Sequence, residues 1–256
     1  MTNSLKFKML TTISVSLLLT LSGLQTAYSQ CKLNSTKSGP VLVELYTSEG
    51  CSSCPPADLW QNKFKHDPKL WSRFVPITFH VDYWDYLGWK DKLANPAYAQ
   101  RQRHFRRKGL ARAVYTPGFF VNGKEWRGFF GTRNIPAKNP DSTGQLKVLV
   151  NKQDVSGKYT EHSHGKKPLS VNIALLGFGI AHKVIAGENT GRTLKHDFAV
   201  LHHITSPIQS NGQWKISLNS IKKYRGHMAS AIAVWVNHGD NPQPLQVTGG
   251  WINNCL

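Results

Sequence analysis

The stretch Pro40-Val41-Leu42-Val43-Glu44-Leu45-Tyr46-Thr47-Ser48-Glu49-Gly50-Cys51-Ser52-Ser53-Cys54 decides how this chain is read. Its first seven residues make a nearly continuous apolar run, the pattern of a strand buried on both faces of a sheet. A turn of small residues follows. Ala57 to Phe64 then carries Leu59, Trp60 and Phe64 near helical spacing. A Cys-x-x-Cys pair between a buried strand and a helix has a chemical consequence. Backbone N–H groups and the positive dipole end of the helix favour thiolate over thiol at the first sulfur. The second cysteine, one turn on, is placed to resolve a mixed disulfide. Cys51 is thus the expected nucleophile and Cys54 the resolving thiol. Three other readings stand beside this one. They are half of a zinc site completed by distant histidines, a permanently oxidised structural disulfide, and a copper site, which soft thiolates suit.

Residues upstream of this stretch read as an export signal spanning residues 1–29. Lys6 and Lys8 give a positive start, Met9 to Leu24 is mostly apolar or small, and no acid precedes Glu44. Ala27-Tyr28-Ser29 offers small residues at the two positions read by a signal peptidase, which implies cleavage before Gln30. The apolar run is short, and broken by Ser and Thr, for a stable span of about 20 residues. No stable membrane anchor is expected after cleavage, and the protein is expected in the periplasm or secreted. All four cysteines follow the cleavage point, and an even count in an oxidising compartment suggests disulfides. Cys51 and Cys54 pair locally, which leaves Cys31 and Cys255 to tie the chain ends together. Such a long-range link would contribute roughly 4–5 kcal/mol by loop-closure arguments.

Composition sets the remaining bounds. The chain has 256 residues, 40% hydrophobic and 18% charged, enough for a packed core. Its formal net charge of +18 favours anionic partners. The densest basic cluster (Arg101, Arg103, Arg106, Arg107, Lys108, Arg112) lies on no recognisable nucleic-acid-binding module, so no nucleic acid is expected as partner.

Phe74 to Val81 reads as a second strand. Asn95 to Lys108 reads as a helix with an N-cap and a first-turn proline. Gly118 to Asn122 is a third strand, and Asn122-Gly123 is a hairpin turn leading into Trp126 to Phe130. Ser142 to Lys152 suits a closing helix. Beyond about Asp154 the texture changes to short strands (169–176, 182–186, 196–204, 214–218, 229–236) separated by Gly, Asn, Ser and Pro. The fold class expected from this pattern is an α/β domain at 38–153, followed by a mainly-β, sandwich-like domain at 154–256.

The α/β domain carries a resemblance in four ordered parts. Val41 to Tyr46 looks like the strand leading into a redox centre, and Cys51 to Cys54 like the centre itself. Thr116-Pro117 looks like the Thr/cis-Pro element that faces the sulfurs, and Phe119-Phe120-Val121-Asn122-Gly123 like the strand and hairpin after it. The chain thus resembles the thioredoxin superfamily. That resemblance implies a substrate groove shaped by Thr116 and Pro117, and a buried acid, Glu44, as proton acceptor for the resolving cysteine. At closer range, Glu44 to Asp58, Phe79 to Asp91 and Gly187 to Leu194 resemble an exported bacterial family labelled domain of unknown function 1223.

The function expected is an exported thiol–disulfide oxidoreductase acting through Cys51 and Cys54. Its partners would be thiol-containing exported proteins, small thiols or a redox partner, and no cofactor or metal is implied. The rival is a non-catalytic binding module for copper or a partner protein. His80 and Asp82 alternate onto one side of a strand and offer a metal or acid/base role, but such residues more often cap a strand. His162, His164 and the pair His202-His203 are weaker metal candidates.

Overall fold

We describe the protein from a computed structural model. It describes residues 30–35, 39–136, 144–161, 167–218, 223–224 and 227–255. The proposed export signal, His162 and His164 lie outside the described residues.

In chain order, β1 spans Cys31–Asn34, β2 Val41–Thr47, α1 Pro55–Asn62, β3 Phe74–His80, α2 Pro96–Arg107, β4 Gly118–Val121 and β5 Lys124–Glu125. There follow β6 Gln145–Val150, β7 Asp154–Thr160, β8 Leu169–Gly177, β9 Ile180–Lys183 and β10 Thr193–His196. The remaining strands are β11 Ala199–Pro207, β12 Gln213–Ser217, β13 Lys223–Tyr224, β14 His227–Met228, β15 Ala231–His238 and β16 Gln246–Trp251.

One eight-stranded sheet runs through the molecule in the order β16-β15-β8-β11-β3-β2-β4-β5. Strand β2 pairs in parallel with β3, and β3 in parallel with β11 through Ala199 and Thr78; the other pairings are antiparallel. A second sheet, β1-β6-β7-β12, is antiparallel throughout.

This architecture corrects the expected α/β thioredoxin-like domain followed by a sandwich-like domain. Strands hold 42% of the described residues and helices 15%. The large sheet takes strands from both halves of the chain. The outer edge of β3, which the expected first domain would have left open, is covered by β11. An uncovered edge with free N–H and C=O groups is a liability that this pairing removes.

Alternation explains how the sheet is covered. Leu42, Tyr46, Val75, Ile77 and Phe79 pack on one face with Tyr98, Ala99 and Phe105 of α2. On the opposite face Val41, Val43 and Leu45 pack with Ala57 and Trp60 of α1. Further along that face, Val171, Ile173, Leu175, Ile232 and Val234 meet Leu146, Val148 and Val150 of the second sheet. The Ser142 to Lys152 segment, expected as a helix, supplies β6 instead. Its inward residues Leu146, Val148 and Val150 recur at every second position, which is the strand period.

Helix α2 begins where its cap residues place it. Asn95 accepts from the Ala97 N–H at 3.0 Å, and Pro96 occupies the first turn. Helix α1 starts directly after Cys54, with Pro55 and Pro56 at positions whose N–H would lack an intrahelical partner. No helix among the described residues is long and apolar enough to cross a membrane.

Candidate functional site

Cys51 and Cys54 are joined as a disulfide, with Cα atoms 5.4 Å apart. Cys51 lies in the turn after β2 and Cys54 at the cap of α1. The turn is closed by hydrogen bonds from the Cys51 N–H to the Ser48 carbonyl (3.2 Å) and from the Cys54 N–H to the Cys51 carbonyl (3.2 Å). Ser52 and Ser53 face solvent, whereas Cys51 is 1% and Cys54 0% exposed. Cys31 and Cys255 form the second disulfide, across 224 residues.

Thr116 and Pro117 lie at the same end of the sheet. The pairing of Tyr46 with Gly118 sets the start of β4 against the end of β2, where the cysteine turn begins. The Thr116–Pro117 peptide is cis. Trp84 links this loop to the turn. Its indole N–H donates to the Thr116 hydroxyl at 2.7 Å, and its backbone and Cβ lie so close to Gly50 that a Cβ there would meet them at 3.0–3.2 Å.

The structure places Glu44 elsewhere. Glu44 and Tyr46 share the face of β2 that α2 covers, because side chains alternate along a strand. The Glu44 carboxylate accepts from Arg101 Nε and Nη2 and from the Tyr46 hydroxyl at 3.0–3.2 Å. Burial pushes its carboxyl up and Arg101 pulls it back. Arg101, one of the six clustered basic residues, is therefore spent on a buried ion pair and on the faces of Phe105 and Trp235.

An acid on the α1 face is Asp58. It lies one helical turn beyond Cys54, its N–H bonded to the Cys54 carbonyl at 3.1 Å. Its Oδ2 accepts from the Thr47 hydroxyl at 3.1 Å, and its buried Oδ1 has no hydrogen-bond partner. Burial raises its pKa to about 6 against the opposing pull of His196 and His80. A cavity of about 130 Å³ between α1 and β10, walled by Pro55, Asp58, Leu59, Arg192 and Lys195, opens beside it.

Beneath the turn lies a buried polar cluster. Glu49 Oε1 accepts from His182 Nδ1 at 2.6 Å and from His196 Nε2 at 2.9 Å. Glu49 Oε2 accepts from the Trp89 indole at 2.8 Å. Ligand atoms of Glu49, His182 and His196 all lie within 4.8 Å of one another. Burial opposes ionisation of Glu49, yet the hydrogen bonds from His182 and His196 and the nearby His80 hold its carboxyl well below the usual range. His80 is paired with Asp91 at 2.8 Å, not with Asp82. Burial opposes its protonation, but Asp91 prevails and lifts its pKa to about 9. The ring of His80 meets His196 edge-on at 4.7 Å. His203 is remote from this cluster, stacked on Trp235.

The β9–β10 hairpin brings His182 and His196 in, and its loop closes over the motif. The Ser52 N–H donates to Glu188 Oε2 at 2.9 Å. Asn189 Nδ2 donates to the carbonyls of both Glu49 and Cys51 at 2.9 Å.

Glu49, His182, His196 and Asp58 carry no role in the sequence reading. The signal for the two histidines is the period-2 burial of the hairpin. Ile180 and His182 alternate inward on β9, as do Leu194 and His196 on β10. Pairing Ile180 with His196 and His182 with Leu194 puts both imidazoles on one face.

Two solved structures resemble this one. The crystal structure of protein AGR_C_4864 from Agrobacterium tumefaciens superposes with a TM-score of 0.59 at 22% identity, covering 85% of this chain and 94% of that one. HBP35 of Porphyromonas gingivalis superposes with a TM-score of 0.52 at 15% identity, covering 85% and 76%. At these identities the likeness speaks to the fold alone. No curated protein matches the chain. A family model described as protein of unknown function, DUF1223, matches residues 42–237, a span that holds both the cysteine turn and the hairpin that covers it, and the chain belongs to that family.

Proposed function

We propose that the protein is an exported thiol–disulfide oxidoreductase acting through Cys51 and Cys54 on cysteines of other exported proteins or on small thiols. The observation that carries this reading is the bonded Cys51–Cys54 pair at the start of α1, with the buried carboxyl of Asp58 one turn beyond it. Thr116 and Pro117 form the adjoining wall of the substrate groove. Kinship with the thioredoxin superfamily is proposed for this set of elements alone: strand, cysteine turn, helix and Thr-Pro loop.

In the reducing direction, the Cys51 thiolate attacks one sulfur of a substrate disulfide. One S–S bond forms as one breaks, and the departing thiolate takes up a proton. Cys54 then gives its proton to Asp58 and attacks the Cys51 sulfur. The second substrate thiolate leaves and is protonated. The pair ends oxidised, and the substrate has gained two electrons and two protons. Asp58 suits the acceptor role because its pKa of about 6 lies near the working pH. Both cysteines are buried, so turnover requires the loop bearing Glu188 and Asn189 to lift from the turn. Lids of this kind commonly gate access to a reactive centre.

Export to the periplasm or beyond belongs to the same proposal and rests on the Lys6, Lys8 and Met9 to Leu24 pattern. Reduction of insulin disulfides, or refolding of a scrambled substrate, tests the reading. Loss of turnover in Cys51→Ser is the expected result; wild-type turnover in that variant would remove the assignment.

A further inference from the structure

We infer that Glu49, His182 and His196 form a binding site for a divalent transition-metal ion, zinc foremost. The site is distinct from the cysteine pair and does not depend on thiol chemistry.

The donor set is the first argument. Two imidazole nitrogens and one carboxylate oxygen converge, with the nitrogens 2.6 and 2.9 Å from the same oxygen, Oε1. All three ligand atoms fall within 4.8 Å of one another. Two histidines with one carboxylate are a ligand set that zinc accepts in protein sites, with a fourth position left for water or substrate. Imidazole ligands do not suit calcium or magnesium, which take oxygen.

Support from surrounding residues is the second argument. Metal ligands are commonly fixed by outer hydrogen bonds. Glu49 is held at every polar atom: Oε2 by the Trp89 indole, its N–H by Asp91 Oδ2 at 2.9 Å, and its carbonyl by Asn189 at 2.9 Å. His182 and His196 are carried by a paired hairpin, not a free loop. The apolar packing of Trp89, Val184 and Leu194 braces that hairpin.

Charge is the third argument. The chain carries 14 acids and a net charge of +18. Three of those acids, Glu49, Asp58 and Asp91, are nevertheless buried around this point. Burying negative charge is costly without a compensating cation. His80 is engaged by Asp91, and Glu49 is faced by His182 and His196, so a bound cation would stand between the imidazoles and the carboxylate as its counter-charge.

Geometry gives the site a structural consequence. Glu49 precedes Cys51 by two residues, while His182 and His196 lie 133 and 147 residues further along the chain. A metal held by all three clamps the hairpin to the cysteine turn.

Equilibrium dialysis of the purified protein, with both disulfides formed, against Zn²⁺ alone is the test, with cobalt substitution as a second measurement. One zinc per chain is expected. The cobalt form should show ligand-field bands of nitrogen and oxygen donors and no thiolate-to-cobalt charge transfer. Glu49→Gln and His182→Gln should each weaken zinc binding at least ~100-fold, since both remove a direct ligand. Zinc binding should persist in Cys51→Ser/Cys54→Ser, which separates this site from one built on the cysteines. Failure to retain zinc, a thiolate charge-transfer band, or loss of zinc in the double serine variant would each overturn the inference. Should the Glu49 or His182 variants not fold, as judged by circular dichroism, the cobalt spectrum of the unaltered protein decides.

Discussion

His182 Nδ1 lies 2.6 Å from Glu49 Oε1, although 133 residues of chain separate the two. This contact marks where the β9–β10 hairpin grips the turn that carries Cys51. The same hairpin places Glu188 on the Ser52 N–H and Asn189 on the Cys51 carbonyl. The cysteine turn is therefore held by residues far away in sequence.

Asn189→Ala removes two buried hydrogen bonds of this clamp. The substitution is expected to cost about 1–3 kcal/mol of stability. It should also speed reduction of Cys51–Cys54 by a small thiol about tenfold, equivalent to weakening the closed state by about 1.4 kcal/mol. Thiol trapping against time under native conditions measures the rate. An unchanged or slower rate would show that the hairpin loop does not gate the pair.

Asp58 and Glu44 should separate cleanly. Asp58→Asn is expected to slow turnover about 10²-fold and to flatten the rise in rate as pH passes through about 6, because the acceptor works only when ionised. Its effect on stability has the opposite sense. The folded pKa of about 6 lies above the ordinary 3.8, so the contribution to stability is fully present below 3.8 and is lost as pH rises through about 6. Asparagine does not ionise, and the variant should melt at a higher temperature than the parent at pH 8. Glu44→Gln instead strands the buried Arg101 charge and should cost about 3–5 kcal/mol. Turnover per folded molecule should stay the same.

A different residue sets an acid limit. His203 is stacked on Trp235 and holds its pKa well below 6.5, through burial first and the Arg101 charge second. A depressed folded pKa contributes stability above the unfolded value of 6.5. That contribution is lost as pH falls from there toward the folded value, by up to ~1.4 kcal/mol per pH unit. His203→Phe should remove part of this acid sensitivity, read as the slope of melting temperature between pH 7 and pH 5.

Much of the site was legible locally. The apolar run of β2, the Asn95-Pro96 start of α2 and the spacing of Cys51 and Cys54 are carried by contiguous residues. What stayed hidden is non-local. Nothing in Phe74 to His80 announces that its free edge will pair with Ala199, more than a hundred residues on. That one pairing turns two expected domains into a shared sheet. Glu44 is a related case: an acid in an apolar strand signals a buried partner but not the face on which it lies, and here that partner is Arg101 of α2. On the α1 face the buried acid is Asp58, bonded by the Thr47 hydroxyl. The Leu146, Val148, Val150 alternation is legible in the sequence as a strand period, but a Lys-containing segment of this length also suits a helix.

The long-range disulfide makes a separate prediction. Cys31→Ser/Cys255→Ser should lower stability to urea by about 2–5 kcal/mol. The oxidised Cys51–Cys54 pair should remain, as shown by peptide mapping.

Equilibration of the protein with graded thiol–disulfide buffers, followed by trapping of Cys51 and Cys54, gives the reduction potential of this pair. A redox-active pair should titrate above about −300 mV, within reach of exchange with substrate thiols. A pair that resists reduction down to below about −300 mV would be structural, and the proposed oxidoreductase function would be contradicted.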